Sequence, residues 1–262
     1  MQTTFYKYQG TGNDFIIFDN RHKKFHFSPK QVREICHRRF GIGADGLMLL
    51  NAHADYDFEM VYFNSDGKPS TMCGNGGRCL VKFASDLGIS KTEYSFLAVD
   101  GAHQAVVQQG GDIALKMIDV PYVINVNGKF IVDTGSPHYV ALSDDVMHID
   151  VCKRGREIRY SKDFEAEGIN VNFVEQLEKP DEIIVRTYER GVEEETFSCG
   201  TGVVASAIVC YHNDNGFNRV EVKTKGGNLS VEFEKKSETE FEDIWLCGPA
   251  SFVFSGEIEI KD

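Results

Sequence analysis

No stretch of this sequence approaches the roughly 20 apolar residues that span a bilayer. Its opening segment, MQTTFYKYQGTGNDF, has no basic stretch followed by an apolar run of the kind that directs export. On these grounds no membrane partner and a cytoplasmic location are expected. Positive charge is scarce: 28 Lys and Arg stand against 40 Asp and Glu, a net charge of -12. A surface of that sign does not displace counterions from nucleic acid or anionic lipid, which leaves a small molecule as the expected partner. Metal-binding spacing is missing as well. The seven cysteines include no Cys-x-x-Cys pair, and Cys73 and Cys79 stand six apart (79 − 73). The His22/His26 pair has no companion cysteine or carboxylate cluster, so no metal is expected. An odd number of thiols in a reducing compartment argues against a disulfide framework.

What remains is an ordinary globular composition, 42% hydrophobic and 26% charged over 262 residues, enough for one large domain or two moderate ones. Alternating apolar positions predict strands at 58–63, 113–118, 183–188 and 252–260, and a hairpin over 220–233 turning at Lys225, Gly226, Gly227 and Asn228. Helical spacing is clearest at 30–39, 76–87 and 201–211. The last two helices are entered through similar sequences, MCGNGGRC around Cys73 and SCGTGVVAS around Cys199. This weak repeat, with its cysteines 126 residues apart (199 − 73), suggests duplicated halves with equivalent helix N-termini. A boundary near Asp119, Val120 and Pro121 divides the chain, although no Pro/Gly/Ser-rich linker marks it.

Glycines beside each cysteine let the backbone turn tightly and aim several N–H groups at whatever lies above the sulfur. At a helix N-terminus those amides and the macrodipole favour negative charge, either a bound carboxylate or the thiolate itself, and lower a thiol pKa from about 8.5. Two such thiols on opposite sides of an α-carbon can invert it, one removing the proton and the other returning one to the far face. Amides on the substrate carboxylate would stabilise the developing carbanion more than the ground state, so no pyridoxal phosphate or other cofactor is required. On residue type alone, each cysteine could equally be a small residue packed at the start of a helix. The matched pair favours the chemical reading, whereas Cys36, Cys79, Cys152, Cys210 and Cys247 lack such flanks.

The ordered motifs GTGNDF at 10–15, GIGADG at 41–46, FNSDG at 63–67, CGNGGRC at 73–79, TGSPH at 134–138, GINVNF at 168–173, YERG at 188–191 and CGTG at 199–202 resemble the diaminopimelate epimerase family along almost the whole chain. The resemblance implies an α/β (α+β) fold of two similar domains related by a pseudo-two-fold, each a mostly antiparallel or mixed sheet wrapped around a central helix. It places one domain at 1–118 with the final strand at 253–262, and the other at 119–252. It further implies interconversion of LL- and meso-diaminopimelate in lysine and peptidoglycan-precursor synthesis, and a homodimer. By the same resemblance Cys73 and Cys199 are the acid/base thiols, and the amides of Gly74, Asn75, Gly200 and Thr201 hold the reacting carboxylate. Asn13, Asn64, Asn170, Glu189 and Arg190 then match positions that bind the amino groups and the distal carboxylate.

Residue types fit these roles: Arg offers a planar fork, Glu accepts from an ammonium, and Asn does either. Read singly, the three asparagines could be turn residues, and Glu189 with Arg190 a solvated pair. His138 after Pro137 has at most a supporting part, and the Lys23–Lys24 and Glu193–Glu195 runs read as solvated faces. The chain departs from many relatives in having Gly46 where they carry Gln and Ser136 where they carry Asn. The nearest rival is a proline or hydroxyproline racemase-type enzyme, which typically has His where Asn75 stands. A phenazine-biosynthesis type isomerase lacks the paired cysteines, and a dithiol redox protein or a binding module that has lost catalysis is the alternative from another class.

Overall fold

The computed structural model describes residues 2–260. The chain divides into two compact units, one built from residues up to Leu115 and from Pro249 onward, the other from Lys116–Gly248. Unit 1 runs β1 (Gln2–Gly10), β2 (Asn13–Asp19), α1 (Pro29–Cys36), β3 (Gly46–Asn51), β4 (Phe58–Asn64), α2 (Gly74–Asp86), β5 (Glu93–Ala98), β6 (Gly101–Val107) and β7 (Ile113–Lys116). Unit 2 follows with β8 (Val123–Val126), β9 (Lys129–Asp133), β10 (Pro137–Leu142), a 3₁₀ turn at Val146–His148, α3 (Val151–Arg159), β11 (Asn170–Gln176), β12 (Glu182–Glu189), β13 (Glu194–Thr196), α4 (Gly200–Val209), β14 (Gly216–Thr224), β15 (Gly227–Lys235) and β16 (Phe241–Gly248). The chain then returns to unit 1 as β17 (Ser251–Glu259), which pairs antiparallel with β1.

The two units share one pairing scheme. In unit 1 the order β17-β1-β2-β3-β4-β5-β6-β7 has two antiparallel joints, then parallel β2/β3, antiparallel β3/β4, parallel β4/β5 and two more antiparallel joints. Unit 2 repeats this sequence of joints in β8-β9-β10-β11-β12-β14-β15-β16, with parallel β10/β11 and β12/β14. Parallel neighbours cannot be joined by a hairpin, and a helix makes each crossover: α1 and α2 in one unit, α3 and α4 in the other. The repeat suggested by the two cysteine motifs is thus a repeat of topology.

Local chemistry explains the elements. Helix α1 starts at a capping box in which Ser28 and Gln31 satisfy each other's backbone amides, with Pro29 at the first helical position. Strand β4 alternates, burying Phe58, Met60 and Tyr62. The hairpin predicted at 220–233 forms with Thr224 opposite Gly227, so Lys225 and Gly226 make its turn. Helices α2 and α4 are different in kind. Every residue of α4 from Gly202 to Ile208 is buried, and it touches β9–β12 and β14–β16, so the sheet encloses it. A helix without a polar face is stable only in such an interior. Helix α2 is buried over most of its length and lies against β1, β2, β3 and β17.

Candidate active site

Cys73 and Cys199 occupy equivalent places. Each is the N-cap of the buried helix of its unit, in extended backbone conformation (φ −102°, ψ 129° and φ −112°, ψ 111°). Their carbonyls accept the first intrahelical bonds, from Gly77 N at 2.7 Å and Val203 N at 2.9 Å. Neither sulfur caps its own helix. The first-turn amides of Gly74 and Asn75, and of Gly200 and Thr201, are therefore groups whose bonding a helix cannot complete from within. These amides carry the positive end of the dipole beside each sulfur. Cys199 is 9% exposed and Cys73 half-buried.

In unit 1, three predicted residues converge. The Cys73 thiol donates to Asn13 Oδ1 (3.6 Å), and Asn75 Nδ2 donates to the same oxygen (3.4 Å). Behind them, Asn13 Nδ2 donates to Asp45 Oδ2 (2.7 Å), and the buried Arg78 donates from Nη2 to Asn75 Oδ1 (2.9 Å) and Thr11 Oγ1 (3.3 Å). Asp45 shares Arg38 with Asp14. Burial alone would raise the Asp14 pKa, but hydrogen bonds from Arg38 and Lys7 overcome this and hold its carboxyl well below the usual carboxylate range. Asn64 precedes Ser65, whose amide donates to the Asp45 carbonyl (3.0 Å). Asn64 is exposed at the end of β4, its backbone engaged in a turn with Lys68 and Gly67, and it pairs in register with Gly46. The departure at Gly46 has a steric basis: a Cβ there would lie 2.5 Å from the Tyr62 ring and 2.7 Å from the Phe63 carbonyl. Tyr62 fills the space in which a longer side chain would begin.

In unit 2, Asn170 and Arg190 meet around the second departure, Ser136. Asn170 Nδ2 donates to Ser136 Oγ (2.9 Å) and the Pro137 carbonyl (3.2 Å), while its Oδ1 accepts from Arg190 N (2.9 Å). The Arg190 guanidinium is steadied by the carbonyls of Glu167 (3.1 Å) and Gly168 (3.4 Å) and reaches Ser136 Oγ at 3.4 Å. Glu189, half-buried, ends β12 beside it. At the other motif, Cys199 Sγ lies 3.5 Å from Thr201 Oγ1, and the buried Thr134 hydroxyl donates to the Thr201 carbonyl at 2.9 Å. Beneath the first turn of α4, Asn172 Nδ2 faces His138 Nδ1 (3.1 Å) and the Tyr139 carbonyl (3.2 Å), and its Oδ1 accepts from Thr187 (2.9 Å). Because Asn172 donates to Nδ1, the His138 proton sits on Nε2, an assignment made from the network. Burial, reinforced by Arg190, pushes His138 down to about 3, so it is neutral across the working pH range and supports rather than titrates.

Sequence reasoning missed Thr11, Asp45, Arg78, Thr134 and Asn172. All five lie inside the quoted motifs, so the signal was present, but their partners are supplied by the fold. Among the described residues no group of three His, Cys, Asp or Glu could hold a metal ion, and no helix is long and apolar enough to cross a membrane.

The family model described as diaminopimelate epimerase matches residues 5–122 and 130–253. A diaminopimelate epimerase from Flavobacterium psychrophilum is 48% identical, covering 97% of this chain and 99% of its own. That of Chlorobaculum tepidum is 43% identical, covering 96% and 99%. Among solved structures, a Bacillus anthracis phenazine biosynthesis protein of the PhzF family superposes with a TM-score of 0.77 at 16% identity, covering 99% of this chain and 100% of that one, a likeness of fold alone.

Proposed function

The chain belongs to the diaminopimelate epimerase family, and from that premise we propose that it interconverts LL- and meso-diaminopimelate through a Cys73/Cys199 acid/base pair, without pyridoxal phosphate. The observation that carries the reading is the equivalence of the two cysteines. Each is the N-cap of the enclosed helix of its unit, followed by Gly-Asn-Gly or Gly-Thr-Gly, at the same step of a repeated topology. One sulfur, as thiolate, takes the α-proton, and the electron pair left on the α-carbon spreads into the carboxylate. The other, as thiol, delivers its proton to the opposite face. Charge is conserved, and the two sulfurs exchange protonation states with each turnover.

The amides of Gly74, Asn75, Gly200 and Thr201 are assigned to the reacting carboxylate, whose charge grows as the proton leaves. Losing one such donor typically costs about 3–4 kcal/mol of transition-state stabilisation. Asn13, Asn64, Asn170, Glu189 and Arg190 are assigned to the amino groups and the distal carboxylate. The Ser136–Asn170–Arg190 cluster supports this, since it presents a guanidinium already braced by two carbonyls. The two units correspond to the two epimerase domains, and the setting is cytoplasmic biosynthesis of lysine. A homodimer is proposed as well. Strand β17 bonds to β1 along one side and exposes Phe252, Val253 and Phe254, an edge that a second copy would cover.

The test is incubation with LL-diaminopimelate in D2O with reductant, following deuterium at the α-carbon and the LL/meso ratio. Exchange lost in both Cys73→Ser and Cys199→Ser supports the pair. Near-full activity in either variant, or exchange with proline and none with diaminopimelate, overturns it.

A further inference from the structure

We propose that Asp45 and Arg78 are positioning residues that lock the Asn13 side-chain amide with its oxygen, rather than its NH2, against the Cys73 sulfur, and so hold Cys73 toward its protonated, proton-donating form. The inference rests on the reading of Cys73 as an acid/base thiol, but its geometry lies wholly within unit 1. An asparagine amide can turn over with almost no change of shape, and which end faces the sulfur decides its effect. An oxygen accepts from a thiol and opposes a thiolate, whereas an NH2 donates to a thiolate.

The orientation is fixed independently from both ends of one chain of hydrogen bonds. At the inner end stands Arg78, fully buried and able only to donate, with Nη2 2.9 Å from Asn75. The Asn75 atom it meets must therefore be oxygen, which turns the Asn75 NH2 to Asn13 at 3.4 Å and requires an oxygen there. At the outer end stands the Asp45 carboxylate, which when ionised only accepts, 2.7 Å from the other terminus of the same Asn13 amide. That terminus must be nitrogen. The two deductions agree, and they leave Asn13 Oδ1 facing Cys73 Sγ at 3.6 Å. Arg38 holds Asp45 in turn, at 2.6 Å.

Other charged or titratable groups lie on the elements around Cys73. Arg78 and Cys79 lie on its own helix, and burial pushes the Cys79 thiol up to about 12, which keeps it neutral. Asp14 and Asp45, with Lys7 and Arg38, lie behind Asn13. Asp100 accepts from the Met72 amide, with His103 beside it. None of these sets which end of Asn13 meets the sulfur except through Asp45 and Arg78. The Thr201 hydroxyl 3.5 Å from Cys199 is a contact of another kind, because it can rotate to accept from a thiol or donate to a thiolate.

The test is the pH dependence of iodoacetamide alkylation, read at Cys73 by peptide mass spectrometry on the intact protein, in wild type, Asp45→Ala and Asp45→Glu. With Asp45→Ala the 2.7 Å anchor is lost and only the longer 3.4 Å contact from Asn75 still favours oxygen, so the amide can turn its NH2 to the thiolate. The Cys73 midpoint falls by about one pH unit, and alkylation at pH 7 rises about three- to tenfold, part of the gain in thiolate being offset by its lower basicity. Asp45→Glu, which keeps an anionic acceptor, restores most of the wild-type midpoint, and the Cys199 midpoint stays in place in both variants. A folded Asp45→Ala protein with an unshifted Cys73 midpoint overturns the proposal. So does a shift that vanishes near 1 M salt, where the Debye length is about 3 Å and only lost Coulombic repulsion would be screened. Should Asp45→Ala not fold, neutron diffraction from deuterated wild-type crystals reads the amide directly, and nitrogen beside Sγ refutes the lock. Because alkylation reports on the thiol and not on turnover, this result stands or falls separately from the assignment of diaminopimelate as substrate.

Discussion

Gly202 is the point at which the helix bearing Cys199 comes closest to the polar layer beneath it, and Gly202→Ala tests how tightly that layer is held. A Cβ at this position would lie 2.3 Å from Asn172 Oδ1 and 3.3 Å from His138 Cε1, whereas real Cβ atoms essentially never come under 3.0 Å. Asn172 is fully buried and held through Thr187, the Tyr139 carbonyl and His138, so it can yield only by breaking hydrogen bonds. Overpacking costs about 1–3 kcal/mol and a stranded buried polar group about 1–3 more, offset by up to about 1 kcal/mol from the better helix propensity of alanine. The net expectation is about 1–5 kcal/mol, or roughly 2–10 °C in Tm for a chain of this size. The alternative relief is for the first turn of α4 to lift, carrying Cys199 and its amides with it. A misplacement of about 1 Å then lowers kcat by about a hundredfold. Thermal melts and α-proton exchange, measured on the same sample, read both routes. A Gly202→Ala protein within 1 °C and twofold of wild type (roughly the noise of either assay) would refute the packing argument. Gly110→Ala is the control: nothing lies within 4 Å of its Cβ, its φ is not positive, and an effect between neutral and about 1 kcal/mol stabilising is expected.

His138 is held neutral by burial, with its folded pKa at about 3 against an ordinary 6.5, so the unfolded chain takes up that proton first. Its contribution is complete above pH 6.5 and is lost as pH falls from there toward 3, at up to about 1.4 kcal/mol per pH unit. In His138→Gln, urea midpoints at pH 7 and pH 5 should therefore differ less than in wild type, and an equal difference would show that the histidine does not titrate this way. Arg190→Lys keeps the charge but loses the planar fork, so KM for diaminopimelate should rise by about tenfold with kcat within about twofold. An unchanged KM would remove Arg190 from the distal-carboxylate site. Burial pushes the thiols of Cys36, Cys79 and Cys210 up to about 12, so native alkylation at pH 8 should leave all three unmodified after Cys73 has reacted. Early labelling of any of them would contradict the packing described for its helix.

How far the sequence was legible follows from how local each signal is. The starts of α2 and α4 were readable because a cysteine followed by Gly-x-Gly announces a helix N-terminus within a few residues, and the Lys225–Gly226 turn was readable for the same reason. Helix α3, VCKRGREIR, was not read. Its buried positions are only Val151 and Gly155, and that glycine is required because a Cβ would sit 2.4 Å from Tyr188, a residue 33 positions onward (188 − 155). The β8/β9 hairpin carried an Asn127-Gly128 turn with both residues at positive φ, a local signal that was present and overlooked. The residues of the candidate site divide in the same way. Cys73, Asn75, Cys199 and Thr201 were candidates from their motifs alone, whereas the service of Asp45 to Asn13 spans 32 residues (45 − 13) and exists only once β2 and β3 lie side by side.

The return of β17 to β1 has a consequence for biosynthesis. Strand β1 ends at Gly10 and its outer neighbour begins at Ser251, so 240 residues (250 − 10) must be made between them. At about 5–20 residues per second, β1 waits roughly 12–50 s on the ribosome for that partner, while residues 116–248 emerge as one contiguous piece. The later half of the gene product is therefore expected to reach its native state first, and the earlier half to depend on a chaperone or on tolerance of an uncovered edge until the last strand arrives.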